Sequence, residues 1–204
     1  MSVVHLIDTI TEWARQTVCE HIQLKVPPDD GEPNDGTYAF ELATPAAFPL
    51  YVPSSEKLPP SIRSTTPSLC VRFLQGEDIQ KENSGSIEIQ FVFSTWDPGF
   101  HSKDQFQPNG DGTFKRGANS QTHFQRSLDG WRDAWNFVDI ARRAVETTVI
   151  IGNEYTIDKV APVKFGPMVE QDTITDYYPF WFAWLSFRVN YNLRRNVVDY
   201  QHLL

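Results

Sequence analysis

Metal-binding and nucleophilic side chains are scarce in this chain: two cysteines, five histidines and two methionines in 204 residues. The histidines, at positions 5, 21, 101, 123 and 202, nowhere form the HExxH spacing of a metalloprotease helix, and no Cys/His pair has zinc-site spacing. Cys19 and Cys70 stand alone, which predicts buried, reduced thiols and a reducing compartment. There is no GxSxG elbow around a nucleophilic serine. No glycine-rich phosphate loop follows a strand-like segment. Glu88 and Asp97 could be posed as paired carboxylates, but nearly any acidic strand offers such a pair. Residues 1–25 carry no basic start, apolar run and small-residue cleavage site, so no signal peptide is expected. The formal net charge of −8 argues against a surface that binds nucleic acid by neutralising phosphates. It leaves open a pore through which DNA slides without sticking.

Aromatic residues are plentiful by contrast, at 13% of the chain, and they concentrate in "DYYPFWFAWLSFRVNY", residues 176–191. The unbroken apolar part, residues 180–185, is far short of the roughly 20 residues that span a bilayer. Alternation fits instead. One parity holds Trp181, Ala183, Leu185, Phe187, Val189, Tyr191 and Leu193, all apolar. The other begins with Phe180, Phe182 and Trp184 and then turns to Ser186, Arg188, Asn190, Asn192 and Arg194. This predicts a strand buried on both faces in its first half and on one face in its second. Extended from Tyr178 to Leu193 it would reach about 53 Å at ~3.3 Å per residue. A strand of that length is expected either to bend at its far end or to leave the domain and meet a neighbouring subunit.

The rest of the chain reads as one domain over residues 1–204. Val3, Leu6, Ile7, Ile10, Trp13, Ala14, Val18 and Ile22 form a helical stripe that Ser2 could cap and that Pro27 and Pro28 stop. Nine of the 14 prolines fall in residues 27–67. The segment alternates proline with Phe48, Leu50, Tyr51 and Val52, which predicts an extended arm that could pair only at a sheet edge. "SLCVRFL" (residues 68–74) and "SIEIQFVFSTW" (residues 86–96) alternate as two strands of a hairpin, joined by a long loop through "QGEDIQKENSG". Residues 97–127 are polar and rich in glycine and asparagine, a long loop holding at most a small hairpin that turns at Asn109-Gly110. "SLDGWRDAWNFVDIARRAVETT" follows as an amphipathic helix with Trp131, Ala134, Trp135, Val138, Ala141 and Val145 as its stripe. A strand region broken near Gly152-Asn153 and at Pro162 leads to the aromatic strand. Helix, arm, strand, strand, helix, strand, strand is an α+β order. It predicts a mixed, largely antiparallel sheet packed by an N-terminal helix and a second amphipathic helix, with the proline arm and the polar loop attached.

Few residues suggest a site. Asp97, His101, Asp104 and His123 are the best candidate metal ligands, though loop histidines are usually solvated surface. "NGDG" at residues 109–112 lacks the later bidentate glutamate of a calcium loop and reads as a turn. Trp96-Asp97 closes a strand either as a structural turn or as an exposed interface anchor. Arg188, Arg194 and Arg195, on the polar half of the last strand, are either solvated or paired with acidic groups of an adjacent copy. No catalytic residue, cofactor site or metal site is assigned.

The blocks "PSLCVRFLQGEDIQ", "IEIQFVFSTWDPG", "DGWRDAWNFVDIARRAV", "YTIDKVAPVKFGPM" and "YYPFWFAWLSFRVNY" resemble an uncharacterised protein of phages and prophages of Gram-positive bacteria. Their order is similar to that of phage tail terminator, or tail-completion, proteins. The resemblance covers most of the chain apart from the proline arm and the long loop. It implies a non-enzymatic virion protein, assembled in the host cytoplasm, with no membrane association. It also implies a homo-oligomeric, hexameric ring on the head-proximal end of the tail tube. Such a ring ends tube polymerisation and docks the head-tail connector, and DNA meets it only in passing through the lumen. Another neck or baseplate component and a small-ligand-binding module are the alternatives.

Overall fold

Burial on alternate residues decides the architecture. In a computed structural model, which describes residues 2–27, 40–62, 64–97, 106–108, 113–116, 130–170, 173–174 and 177–193, one helix-backed sheet collects nearly every alternating segment. Helix α1 (Val3–Thr17) starts at Ser2, whose Oγ accepts a hydrogen bond from His5 N at 3.4 Å. It buries Leu6, Ile7, Ile10 and Ala14. The helix ends a turn and a half earlier than its apolar stripe predicts. After a 3-10 turn at Cys19–His21 the chain enters strand β1 (Leu24–Val26). Ile22 is extended, because tertiary pairing of β1 outweighs the local helical spacing.

The proline arm contributes β2 (Phe40–Ala43) and β3 (Ala46–Pro49). β3 lies at the edge of the main sheet, parallel to β4 (Ser68–Ile79), which is where a proline-bearing strand is tolerated. β4 and β5 (Ser84–Trp96) form the expected hairpin, but its loop is short. Polar residues 75–79 and 84–85 continue the ladder, and only residues 80–83 turn, with Asn83 left-handed at φ 49. Polarity there reflects exposure, since every β4 residue from 72 to 79 is exposed. It does not reflect a loss of strand. The insertion holds β6 (Phe106–Pro108) and β7 (Thr113–Arg116), an antiparallel hairpin whose turn at 109–112 lies outside the described residues. With β1 and β2 it completes a four-stranded sheet ordered β1-β2-β7-β6.

Helix α2 (Trp131–Thr147) follows, then β8 (Ile150–Ile151), β9 (Tyr155–Ile157), β10 (Lys164–Pro167), β11 (Val169–Glu170), β12 (Thr173–Ile174) and β13 (Phe180–Asn192). Gly152 and Asn153, both with φ near +60, make the turn between β8 and β9. The main sheet runs β3-β4-β5-β13-β9-β8, with β10 also paired to β13. All of its pairings are antiparallel except β3 with β4. This is the expected α+β class.

Both helices cover one face of that sheet. Leu69 and Val71 of β4, Ile87, Ile89, Phe91 and Phe93 of β5, and Leu185, Phe187 and Val189 of β13 are buried beneath them. Phe93 meets Phe137 of α2 at 4.9 Å between ring centres, and Trp13 of α1 stands over Phe91 and Phe187. The α2 stripe is rotated from its prediction. Phe137 is fully buried, Trp135 is half-buried and Trp131 is 43% exposed. The buried row is Ala134-Phe137-Val138-Ala141-Ala144-Val145, and the bulky indoles fall to its flank. Lys159 Nζ donates to the carbonyls of Val145 (2.5 Å) and Glu146 (2.9 Å), satisfying the C-terminal end of α2.

β13 follows its alternation in part: residues 183, 185, 187, 189 and 191 are buried. Its first half is not buried on both faces as expected, since Phe180, Trp181, Phe182 and Trp184 are only half-buried. On the polar face Ser186 is buried before Arg188 is exposed. Its length is absorbed inside the chain. β5 pairs with it without a break from Phe180↔Trp96 to Asn192↔Ser84, so length alone calls for no neighbour.

Replacing Phe137 with alanine should cost about 3–5 kcal/mol, as for a fully buried aromatic ring. Replacing Trp131 should stay within roughly 0.5 kcal/mol, as for a surface position. Urea unfolding of the two variants checks both values, and equal losses would show that the helix is rotated otherwise.

Candidate functional site

Among the described residues, no group of three histidine, cysteine or acidic side chains is arranged to hold a metal ion. Of the predicted metal set, Asp97 is engaged elsewhere, and His101, Asp104 and His123 lie outside the described residues. No described helix is long and apolar enough to cross a membrane. Cys19 and Cys70 are both free and buried. Burial pushes the Cys19 thiol up to about 12 and raises that of Cys70 as well, which makes both poor nucleophiles.

The most concentrated chemistry sits at the end of β5. Asp97 is fully buried, and its Oδ2 lies 2.7 Å from Nζ of Lys25, itself 8% exposed. Asp133, in the first turn of α2, stands 3.9 Å from the same ammonium. Three elements meet here: β1 of the small sheet, β5 of the large one and the start of α2. Trp181 Nε1 donates to Asp97 O at 2.8 Å, and Asp97 N donates to Pro179 O at 2.9 Å. Gly130 completes the junction, since a Cβ there would lie 2.3 Å from Trp181 Nε1 and 2.6 Å from Asp97 O. Residues 97 and 130, the two ends of the long insertion, are thereby tied together. The charges are consumed in holding the junction. The aspartates and the lysine answer one another, and the cluster offers no nucleophile.

The sequence-predicted site residues are dispersed. Trp96 is 7% exposed and Asp97 is buried, so within the single chain neither side chain is presented as an anchor. Arg188 is exposed on β13 directly across from Glu88 of β5. It also helps hold the Asp158 carboxyl below its usual range. The larger cause there is the hydrogen bond that Asp158 accepts from Val160 N. Within the chain Arg188 thus has Glu88 and Asp158 as acidic neighbours. Arg194 and Arg195 lie outside the described residues.

A second junction ties the hairpin tip to β13. Tyr191, Gly85 and Asp78 stand in one row across three strands. A Cβ on Gly85 would fall 2.4 Å from the Tyr191 ring, so the ring lies flat over the glycine and its hydroxyl donates to Asp78 Oδ1 at 2.6 Å. One extra β4 residue, Leu74, shifts the register between Phe73 and Gln75 and turns Asp78 to that face. Glycine opposite tyrosine is the sequence signal for this row, but only the bulge brings Asp78 into line. Burial, followed by the bond to Asp78, pushes the Tyr191 phenol up to about 12.

Among the described residues are three open cavities. A groove of about 280 Å³ on the sheet face away from the helices runs between Val52, Cys70, Val92, Met168, Tyr177 and Phe182. One of about 450 Å³ lies between α1 and the arm, and one of about 390 Å³ lies at the hairpin tip beside Arg188.

No family model matches the chain, and no curated protein matches it.

Two measurements test these junctions. Asp97→Ala, which takes the nearer carboxylate from the buried Lys25 ammonium, should cost about 3–5 kcal/mol. Adding Lys25→Met should recover part of that loss, and urea unfolding of the single and double variants reads the coupling. The raised Tyr191 pKa stabilises the fold below pH 10, the ordinary value, and that contribution is lost as pH rises towards about 12. Tyr191→Phe should flatten the decline of stability between pH 10 and 12, and an unchanged slope would remove the Asp78 bond from the account.

Proposed function

We propose that this chain is a structural virion protein that caps the head-proximal end of a phage tail tube as a ring, ends tube polymerisation and offers the docking face for the head connector. The five blocks of sequence that carry the resemblance to tail terminators fall on β4, β5, α2, the β9–β10 region and β13. These are the elements that build the helix-backed sheet. The proline arm and the insertion, which the resemblance leaves out, are attached to this sheet at its margins.

One observation carries the reading. The chain extends the β4–β5 hairpin well past the reach of its own core on the β4 side, where every residue from 72 to 79 is exposed and Phe73, Leu74 and Ile79 stand among polar side chains. A strand edge left exposed in this way is open to pairing with another chain. A protein whose task is assembly needs such surfaces and needs no catalytic cluster. The tail tube protein, the connector and further copies of this chain are the partners in this account, with DNA passing through the lumen and no cofactor required.

The groove of about 280 Å³ favours one other reading, a small-ligand-binding module with an apolar guest lying between Val52 and Phe182.

Gold-labelled antibody against the chain, imaged on whole particles, separates the two. Label at the junction of head and tail is the expected result. Label at the baseplate would move the chain to another component, and particles without label would remove it from the virion.

A further inference from the structure

The face of the main sheet away from the helices carries the groove of about 280 Å³, and its floor is set by strand register. Ser68 lies opposite Ser94, Cys70 opposite Val92, and Phe182 opposite Ser94. These residues alternate with the buried set Leu69, Val71, Phe91 and Phe93, so their side chains point away from α1 and α2. Val52 of the arm, Met168 and Tyr177 also line the groove, and Tyr177 meets the Phe182 ring edge-on at 5.6 Å.

The polar groups on this floor are donors that converge on one residue. Ser68 and Ser94, both buried, meet Oγ to Oγ at 2.8 Å. One hydroxyl donates to the other, and the second hydroxyl hydrogen has no acceptor within the pair. Arg72 comes back from the other direction. Burial raises the Cys70 thiol, and the Arg72 guanidinium, which hydrogen-bonds that thiol, offsets part of the rise. Cys70 therefore has a guanidinium on one side of it along β4 and the hydroxyl pair on the other. Among the described residues that line the groove, Arg72 alone is charged, and it forms no ion pair with a described carboxylate. Positive charge and hydroxyl donors beside an apolar floor, with no acidic side chain among those lining residues, complement an anion that carries an apolar body.

We infer that the groove binds a small monocarboxylate, with its carboxylate over Cys70 between Arg72 and the Ser68–Ser94 pair and its hydrocarbon body across Val92 towards Phe182. A guanidinium holds a carboxylate through two parallel N–H···O bonds, and such charged bonds are about twice as strong as neutral ones. Apolar walls thin the water around that pair and strengthen it further. From Cys70 on β4 across β5 to Phe182 on β13 is two strand spacings, roughly 10 Å, which suits a body of about eight carbons. A cation is repelled from this floor. A neutral guest of the same shape fills the groove but leaves the guanidinium unanswered. The site goes beyond the ring reading and does not depend on it, since a ring subunit and a free chain present the same sheet face.

Calorimetric titration of the full chain with octanoate, and with octanamide as its uncharged counterpart, tests the site at two temperatures. Octanoate should bind the wild-type chain about tenfold more tightly than octanamide, or better. Arg72→Gln should erase that preference, and Val92→Phe, which fills the floor, should weaken both probes. Melting temperatures matching the wild type certify each fold, and if Val92→Phe does not fold, Arg72→Gln decides alone. Equal binding of the two probes, or a preference that survives Arg72→Gln, overturns the carboxylate assignment. Octanoate binding that a folded Val92→Phe chain retains in full places the anion elsewhere and overturns the groove. A wild-type chain that binds neither probe overturns it as well. All of these outcomes leave the ring reading to the particle images, so the two readings fail separately.

Discussion

The unbroken antiparallel ladder between β5 and β13 is the constraint on which the other elements depend. Thirteen consecutive partners, from Phe180↔Trp96 to Asn192↔Ser84, lock two alternating sequences into one register. A slip of one residue would turn every apolar side chain of β13 to the wrong face. In the observed register, Phe91, Phe93, Leu185 and Phe187 form a continuous floor. α1 and α2 have only to lay their small and apolar residues upon it. The helices are docked by the sheet rather than the reverse. On that floor α2 buries Phe137 and leaves its two tryptophans at the flank.

The two ends of this ladder are secured by different means. At the hairpin tip a short hydrogen bond from Tyr191 crosses Gly85 to reach Asp78, which needs a bare glycine below the ring and a bulge in β4. At the other end a buried ammonium sits between two carboxylates, and an indole N–H reaches the last carbonyl of β5. A buried ion pair is an uncertain source of net stability, because desolvation offsets the attraction. It does impose a definite arrangement, since moving any one element would strand a charge. Lys25, Asp97 and Asp133 thus tie three elements to one point, and the insertion leaves and returns there without interrupting the core.

With the interior closed in this way, the exposed features acquire meaning by contrast. The outer β4 edge, the turn at Leu50 and the flank of α2 each leave large apolar side chains exposed. Arg188 lies across from Glu88 in the β5–β13 register.

The α+β class, the edge position of the proline arm, the long aromatic strand and the helix cap at Ser2 were all legible in the amino-acid sequence. They rest on periodicity, on the missing proline N–H and on local hydrogen bonding, which act over a few residues. The early end of α1, the short hairpin turn through polar residues and the burial of Phe137 in place of Trp131 were decided by tertiary structure. Each depends on a partner strand or on helix-to-sheet distance, which no local pattern records. The same holds for the junctions. Lys25, Asp97 and Asp133 are far apart in the sequence, and nothing near any of them announces the other two. Only the pairing of β1 with the small sheet, and of β5 with β13, brings their charges within reach of one another.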